Sequence, residues 1–148
     1  MRTQKFLIIN GPNLNMLGKR EPHIYGHLTL SQIQEKTQLK LNELFPSVET
    51  EWFQSNIEGE LIDKIQQVIN DDYAALIINP GAYSHTSIAL LDALKIIDIP
   101  IIEVHLTNTH NREEFRQVKL TAKAVDIIME GLGPEAYFVA VCSQLNRI

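Results

Sequence analysis

Residues 6–12 read Phe6-Leu7-Ile8-Ile9-Asn10-Gly11-Pro12. A short unbroken apolar run stopped by Asn, Gly and Pro predicts a strand covered on both faces, since a strand with one wet face would alternate. Outward from it, strand and helix patterns take turns. Ser31-x-x-Gln34 has the spacing of a capping box, and Ile33, Leu41 and Leu44 follow at near-helical intervals before Pro46. Residues 48–53 alternate apolar and polar side chains, which predicts a second strand nearer the sheet edge. Leu61, Ile62, Ile65, Val68 and Ile69 make a helical stripe. Residues 74–78 predict a third strand, ended by Asn79-Pro80-Gly81, and residues 87–97 an apolar helix. Residues 100–104 predict a fourth strand, 105–118 a loop with one short helix, 124–129 a fifth strand and 135–147 a closing helix.

Strands that alternate with helices imply right-handed crossovers and a parallel sheet. The 148 residues fit one domain, 1–148, of the α/β class. The expected architecture is a flavodoxin-like three-layer sandwich around a five-stranded parallel sheet in the order 2-1-3-4-5. Ligands in such folds sit beyond the carboxyl ends of the strands, near the switch point between strands 1 and 3.

Composition narrows the function. The chain is 45% hydrophobic and 21% charged, an ordinary globular mixture, and its apolar runs are too short to cross a bilayer. The stretch before Asn10 is too short for a signal-peptide core. Cys142 is the single cysteine and cannot form an internal disulfide, so a cytoplasmic location is expected. Net charge is −5 with no basic run, which argues against nucleic acid as a partner. The local cation pairs Lys19/Arg20 and Arg112/Arg116 suit a small anionic ligand, or else are ordinary solvated charge.

The polar residues gather at strand ends. Strand 1 is followed by a loop of about twenty residues, and loops that long are uncommon unless functional or disordered. It carries Asn13, Asn15, Lys19, Arg20, Glu21, His23 and Tyr25, with apolar anchors at Leu14, Met16, Leu17 and Ile24. Strand 3 is followed by Asn79, Ser84, His85 and Ser87. Glu103 and His105 share a face of an extended segment, where a carboxylate fixes the tautomer of an imidazole. Taken alone, His105 reads as structural or catalytic equally well. Arg112 and Arg116, on a helix, would share a face and hold a carboxylate, or pair with Glu113 and Glu114. Tyr25 beside an arginine could act as a base, because a guanidinium favours the phenolate; Tyr25 alone reads as loop packing. There is no phosphate-binding glycine loop and no G-x-G-x-x-G after strand 1. The histidines lack zinc spacing, so no metal is expected, and no lysine sits in the apolar part of a strand for Schiff-base chemistry.

The stretch Asn10-Gly11-Pro12-Asn13-Leu14-Asn15-Met16-Leu17-Gly18-Lys19-Arg20-Glu21-Pro22-His23-Ile24-Tyr25-Gly26 closely resembles the N-terminal signature of type II 3-dehydroquinate dehydratases. So do residues 79–87, residues 102–108 and Arg112-Glu113-Glu114-Phe115-Arg116. The resemblance is collinear over about the first 116 residues. It implies reversible dehydration of 3-dehydroquinate to 3-dehydroshikimate in the shikimate pathway, without a cofactor, in a homo-oligomer that is usually a dodecamer of trimers. It implies Tyr25 as the base at C2 and Arg20 as the residue that favours its phenolate. Asn13, with a water, would stabilise the enolate. His105 would protonate the leaving C1 hydroxyl, with Glu103 orienting it. Asn79, His85, the Leu106 and Thr107 amides and Arg116 would contact substrate, and Asp92 would reach a neighbouring subunit's site.

The chain departs from the family pattern over residues 117–130. Gln117-Val118-Lys119-Leu120 stands where the family has a His/Ser/Tyr-containing stretch, and Lys119 and Ala122 replace hydroxyl-bearing positions. Leu91 replaces a common Arg before Asp92, and Asn111 a small residue. Three other readings compete. A receiver-type binding module would need acidic residues after strand 1 and an Asp where Asn79 stands. A flavin carrier would need a hydroxyl-rich phosphate loop after strand 1. A catalytically impaired relative would keep the assembly and lose the reaction.

Overall fold

The computed structural model describes residues 2–146. β1 (Gln4–Asn10) runs into a loop that holds a 3-10 turn at Leu14–Met16 and the short helix α1 (Pro22–Tyr25). Then come α2 (Leu30–Leu44), β2 (Val48–Gln54), α3 (Glu58–Gln67) and β3 (Ala75–Asn79). α4 (Tyr83–Thr86) and α5 (Ile88–Leu94) lead to β4 (Ile101–His105). β5 (Ile127–Glu130) and α6 (Ala136–Cys142) complete the described elements. The strand order is β2-β1-β3-β4-β5 and every pairing is parallel, as the alternating pattern predicts.

The continuous apolar runs of β1, β3 and β4 are explained by two cores. Phe6, Ile8, Ile77, Ile102 and Val104 face Ile33 and Leu41 of α2 and Ala140 and Val141 of α6. Leu7, Ile9, Leu76, Ile78 and Ile101 face Leu61 and Ile65 of α3 and Leu90 and Leu94 of α5. β2 lies at the edge, which accounts for its alternation. Every strand points its carboxyl end the same way, so the loops after β1, β3 and β4 meet on one rim.

Two of those loops touch so closely that only glycine fits. A Cβ on Gly11 would lie 2.3 Å from the Pro80 carbonyl oxygen, and Gly11 N–H donates to Asn79 O at 2.8 Å. Gly81 answers from the other side with φ +59, a left-handed conformation that favours glycine.

Several expectations need correction. The capping box is Thr29/Gln32, not Ser31/Gln34. Thr29 keeps extended backbone and its hydroxyl accepts from Gln32 N–H at 3.1 Å, while Gln32 Oε1 accepts from Thr29 N–H at 2.9 Å. The same spacing occurs twice, two residues apart, and the earlier start puts Leu30 against the core. β5 begins at Ile127 rather than 124, because Ala124 still belongs to a 3-10 turn, Thr121–Ala124. The closing helix is only Ala136–Cys142; Arg147, in the expected span, lies outside the described residues. The region 105–118 holds two 3-10 turns, Thr109–Asn111 and Glu114–Gln117, instead of one short helix. Arg112 lies between them in extended conformation, so it does not share a helical face with Arg116.

Candidate active site

The rim where the three loops meet encloses a pocket of about 510 Å³, including its open mouth. Asn13, Arg20 and Tyr25 line it from the loop after β1. Asn79 and His85 line it from the end of β3. His105, Leu106, Thr107 and Arg116 line it from the end of β4 onward. Glu103 stands behind His105, fully buried. Asp92 is exposed on α5 and is not among the residues lining this pocket.

Tyr25 sits at the end of α1, whose entry residue Glu21 adopts a left-handed conformation before Pro22 fixes the first turn. Two guanidinium groups flank its ring, Arg20 at 4.7 Å and Arg112 at 5.1 Å from the centroid. The cation that reaches the phenol oxygen is Arg112, donating from Nη1 at 2.6 Å. Arg20 instead stacks on the ring and lies 3.6 Å from Glu21. Sequence reasoning flagged Arg112 only as one of a cation pair. Its contact spans 87 residues, and no local spacing reports it.

His105 is held by opposite means. Its Nε2 donates to Glu103 Oε2 at 2.8 Å, which leaves Nδ1 to serve the pocket. A buried carboxylate must be saturated with donors to stay in place. Glu103 also accepts from Ser84 Oγ at 3.2 Å and from the Thr121 hydroxyl. Thr121, which no local pattern in the sequence marks, is buried, and its hydroxyl oxygen lies 3.1 Å from that of Ser84.

His85 lies 6.3 Å from His105, ring centre to ring centre. Its Nδ1–H donates to Val118 O at 2.7 Å. Burial lowers its pKa, the Val118 bond opposes that, and the nearby charges of His105, Arg116 and Lys119 reinforce the lowering. Asn79 is fixed on both sides of its amide. Its Oδ1 accepts from Gly81 N–H at 3.2 Å and its Nδ2 donates to the buried Tyr137 hydroxyl at 3.3 Å. That hydroxyl in turn donates to Asn10 Oδ1. Arg116 pairs with Glu113, whose carboxyl is held below the usual range by that bond. Asn13 has φ 68 and its backbone N–H donates to Asn56 Oδ1 at 3.0 Å.

The divergent segment 117–130 borders this pocket. Lys119 pairs with Glu130 at 2.9 Å. Burial raises the Glu130 carboxyl, but bonds from Thr109 and Lys119 outweigh it, and the net shift is downward.

Known proteins are similar to this chain over nearly all of its length. The family model described as Dehydroquinase class II matches residues 4–145. The 3-dehydroquinate dehydratase of Helicobacter acinonychis is 51% identical over 142 residues, 96% of this chain and 84% of that protein. The catabolic 3-dehydroquinase of Sclerotinia sclerotiorum is 49% identical over 141 residues, 95% of this chain and 92% of that one. The crystal structure of the type II dehydroquinase from Butyrivibrio crossotus superposes with a TM-score of 0.92 at 39% identity, covering 96% of this chain and 97% of that one. The match runs through the rim loops and on through the departing segment to Leu145, and the chain therefore belongs to the class II dehydroquinase family.

Proposed function

We propose that this chain dehydrates 3-dehydroquinate to 3-dehydroshikimate and water, reversibly, by anti elimination through an enolate and without a cofactor. One observation carries the reading. A single pocket pairs Tyr25, whose oxygen accepts from Arg112, with His105, whose ring is tied to buried Glu103. The substrate comes from the relatives' names, 3-dehydroquinate dehydratase and catabolic 3-dehydroquinase.

The C3 ketone acidifies the neighbouring C2 proton. Tyr25, as phenolate, takes that proton, and a guanidinium donating to the phenol oxygen stabilises the phenolate. Arg112 thus shares the role assigned to Arg20, which acts through the ring face. The enolate needs preorganised donors, and Asn13 together with a water supplies them. Protonated His105 then gives its proton to the C1 hydroxyl, which leaves as water as the C1–C2 double bond forms. Tyr25 ends protonated and His105 neutral, and one proton passes between them before the next turnover. The Leu106 and Thr107 amides receive the substrate carboxylate, and Asn79, His85 and Arg116 hold its remaining oxygens.

Asp92 enters through assembly. It lies one turn from Ile88 on the outer face of α5, and Ile88 is 63% exposed. A second copy docked on that face would cover the isoleucine and carry Asp92 toward its own pocket, in keeping with a homo-oligomer and with the dodecamer of trimers. Cytoplasmic work in the shikimate pathway, toward aromatic amino acids, completes the reading. Among the described residues no helix is long and apolar enough to cross a membrane.

The test is the absorbance of the conjugated enone formed from 3-dehydroquinate, with EDTA and borohydride present. Turnover should survive both reagents. Tyr25→Phe should lose several orders of magnitude in kcat with substrate still bound. Near wild-type turnover in that variant rules out Tyr25 as the base, and a folded wild-type protein that binds substrate without turnover marks an impaired relative.

A further inference from the structure

Residues 118–121 cross the back of the pocket as a strap, and each makes a different tie. Val118 O accepts from His85 Nδ1 at 2.7 Å. Leu120 N–H donates to Ser84 O at 2.7 Å. The Thr121 hydroxyl donates to Glu103. Lys119 reaches Glu130 on β5 at 2.9 Å. The strap therefore joins the ends of β3, β4 and β5.

The charged tie is the unusual one. The Lys119 side chain is 6% exposed and that of Glu130 is 17% exposed. Lysine is almost never this deeply buried unless paired. Glu130 stands opposite His105 in the β4–β5 register. It also accepts from the hydroxyl of Thr109, a pocket-lining residue, and lies 3.5 Å from His110 Nδ1. The backbone around it is stitched to the same loop, since Gly131 N–H donates to His105 O and Gly133 N–H to Leu106 O at 2.9 Å. One carboxylate thus holds the loop that carries Leu106–Thr109 and, through Lys119, the strap that fixes the His85 ring.

We propose that the Lys119–Glu130 pair is a latch for substrate binding, with Lys119 and Glu130 as positioning residues that set His85 and the Leu106–Thr109 loop for the anionic substrate. Neither touches the reacting atoms. The effect falls first on binding: Tyr25 and Arg20 hang from the loop after β1, and Arg112, which shares the segment after β4, is held to the phenol oxygen by its own bond. Loosening groups that grip the anion weakens ground-state and transition-state binding alike, so a loosened strap raises KM about tenfold while kcat stays within about threefold.

The experiment compares Lys119→Met, Lys119→Arg and the double variant Lys119→Met with Glu130→Met. Each is read by KM and kcat in the enone assay, by melting temperature, and by ¹⁵N spectra of the imidazoles with His85 assigned from His85→Gln. In the wild type, neutral His85 should be the single Nδ1–H tautomer that the Val118 bond requires. Lys119→Met should raise KM about tenfold and turn His85 into a mixture of tautomers, and Lys119→Arg should restore both. Replacing both partners of a buried pair by apolar groups is close to neutral for stability. The double variant should therefore melt near the wild type and still show the raised KM. It carries the test if Lys119→Met does not fold. An unchanged KM or an unchanged His85 tautomer in a folded Lys119→Met protein overturns the proposal, as does a double variant with wild-type KM. The KM arm rests on the dehydratase reading and the spectral arm does not. A wild type without turnover sinks that reading alone, and an unmoved His85 tautomer sinks the latch alone.

Discussion

Tyr25 and His105 face one pocket, yet they are held in place in contrasting ways. Tyr25 rides on a four-residue helix in a long loop, half-buried, with two guanidinium groups against its ring. His105 is the last residue of a central strand, buried, and tied to a carboxylate that is itself saturated with donors. The proposed base is positioned by charge from outside the sheet and the proposed acid by hydrogen bonds from inside it. Tyr25 and Arg20 share one loop and can move together, as a closing lid would require, while Arg112 meets the phenol from the segment after β4. A carboxylate with three donors cannot move without leaving a buried charge unpaired. The proposed base is therefore the adjustable partner, and the acid is the fixed one.

Substitutions can break this contrast or sharpen it. The largest effect is expected from Arg112→Met, which removes the donor on the phenol oxygen. kcat should fall about 10²–10³-fold, the usual loss when a donor on a developing charge is deleted, with melting temperature nearly unchanged. Arg20→Met should cost less, about tenfold, because Arg20 contacts the ring face only. Equal losses in steady-state kinetics would erase the distinction between the two arginines. Glu103→Gln should reverse the pattern of Arg112→Met. It removes the charge that holds His105, so kcat falls about 10–10²-fold and stability falls with it by about 1–3 kcal/mol, measured by urea unfolding. Tyr137→Phe should act on the inner side alone. It leaves Asn10 Oδ1 and Asn79 Nδ2 without the hydroxyl between them, and should cost about 1–2 kcal/mol of stability with a modest rise in KM.

The smallest effect lies outside the pocket. Glu51 accepts from Lys64 at 2.6 Å and from Tyr73 at 2.6 Å, and lies 3.0 Å from Lys5. Bonds from Lys64, Tyr73 and Lys5 lower its carboxyl from 4.5 to about 2. A pKa depressed on folding adds stability that is fully present above the unfolded value and is lost as pH falls toward the folded one. Glu51→Gln should therefore destabilise at pH 7 by about 1 kcal/mol after allowance for solvent screening. The gap between wild type and variant should narrow from about pH 4.5 down to about 2 in acid-unfolding curves. Turnover at pH 7 should not change.

Legibility in the sequence followed the range of the interactions. Strand 1, strand 3 and strand 4 were readable because burial on both faces writes itself as an unbroken apolar run. Glu103 and His105 were readable because their contact needs only the two-residue period of a strand. Parallel pairing followed from the alternation of strands and helices, and the observed order matches the one expected of a flavodoxin-like sheet. What escaped was long-range. Arg112 and Arg116 look alike in sequence, and only the path of the chain between two 3-10 turns sends one to the phenol and the other to Glu113. Thr121 reads as an ordinary polar residue until the strap lays it against Glu103. Lys119 stands out only as a departure, since its partner is set by the β5 register. The capping box was misplaced by two residues because two overlapping patterns competed, and packing of Leu30 decided between them.

The contact between Gly11 and Pro80 carries a consequence for inheritance. A methyl group at Gly11 would collide with the backbone of the loop after β3, and the Gly81 position is hemmed by Pro12 in return. The two loops are keyed to each other across a gap that admits no side chain. Neither can be lengthened, grafted or recombined on its own, so a chimera with a crossover between residues 12 and 79 keeps the pocket only if both parents carry matching halves of the key.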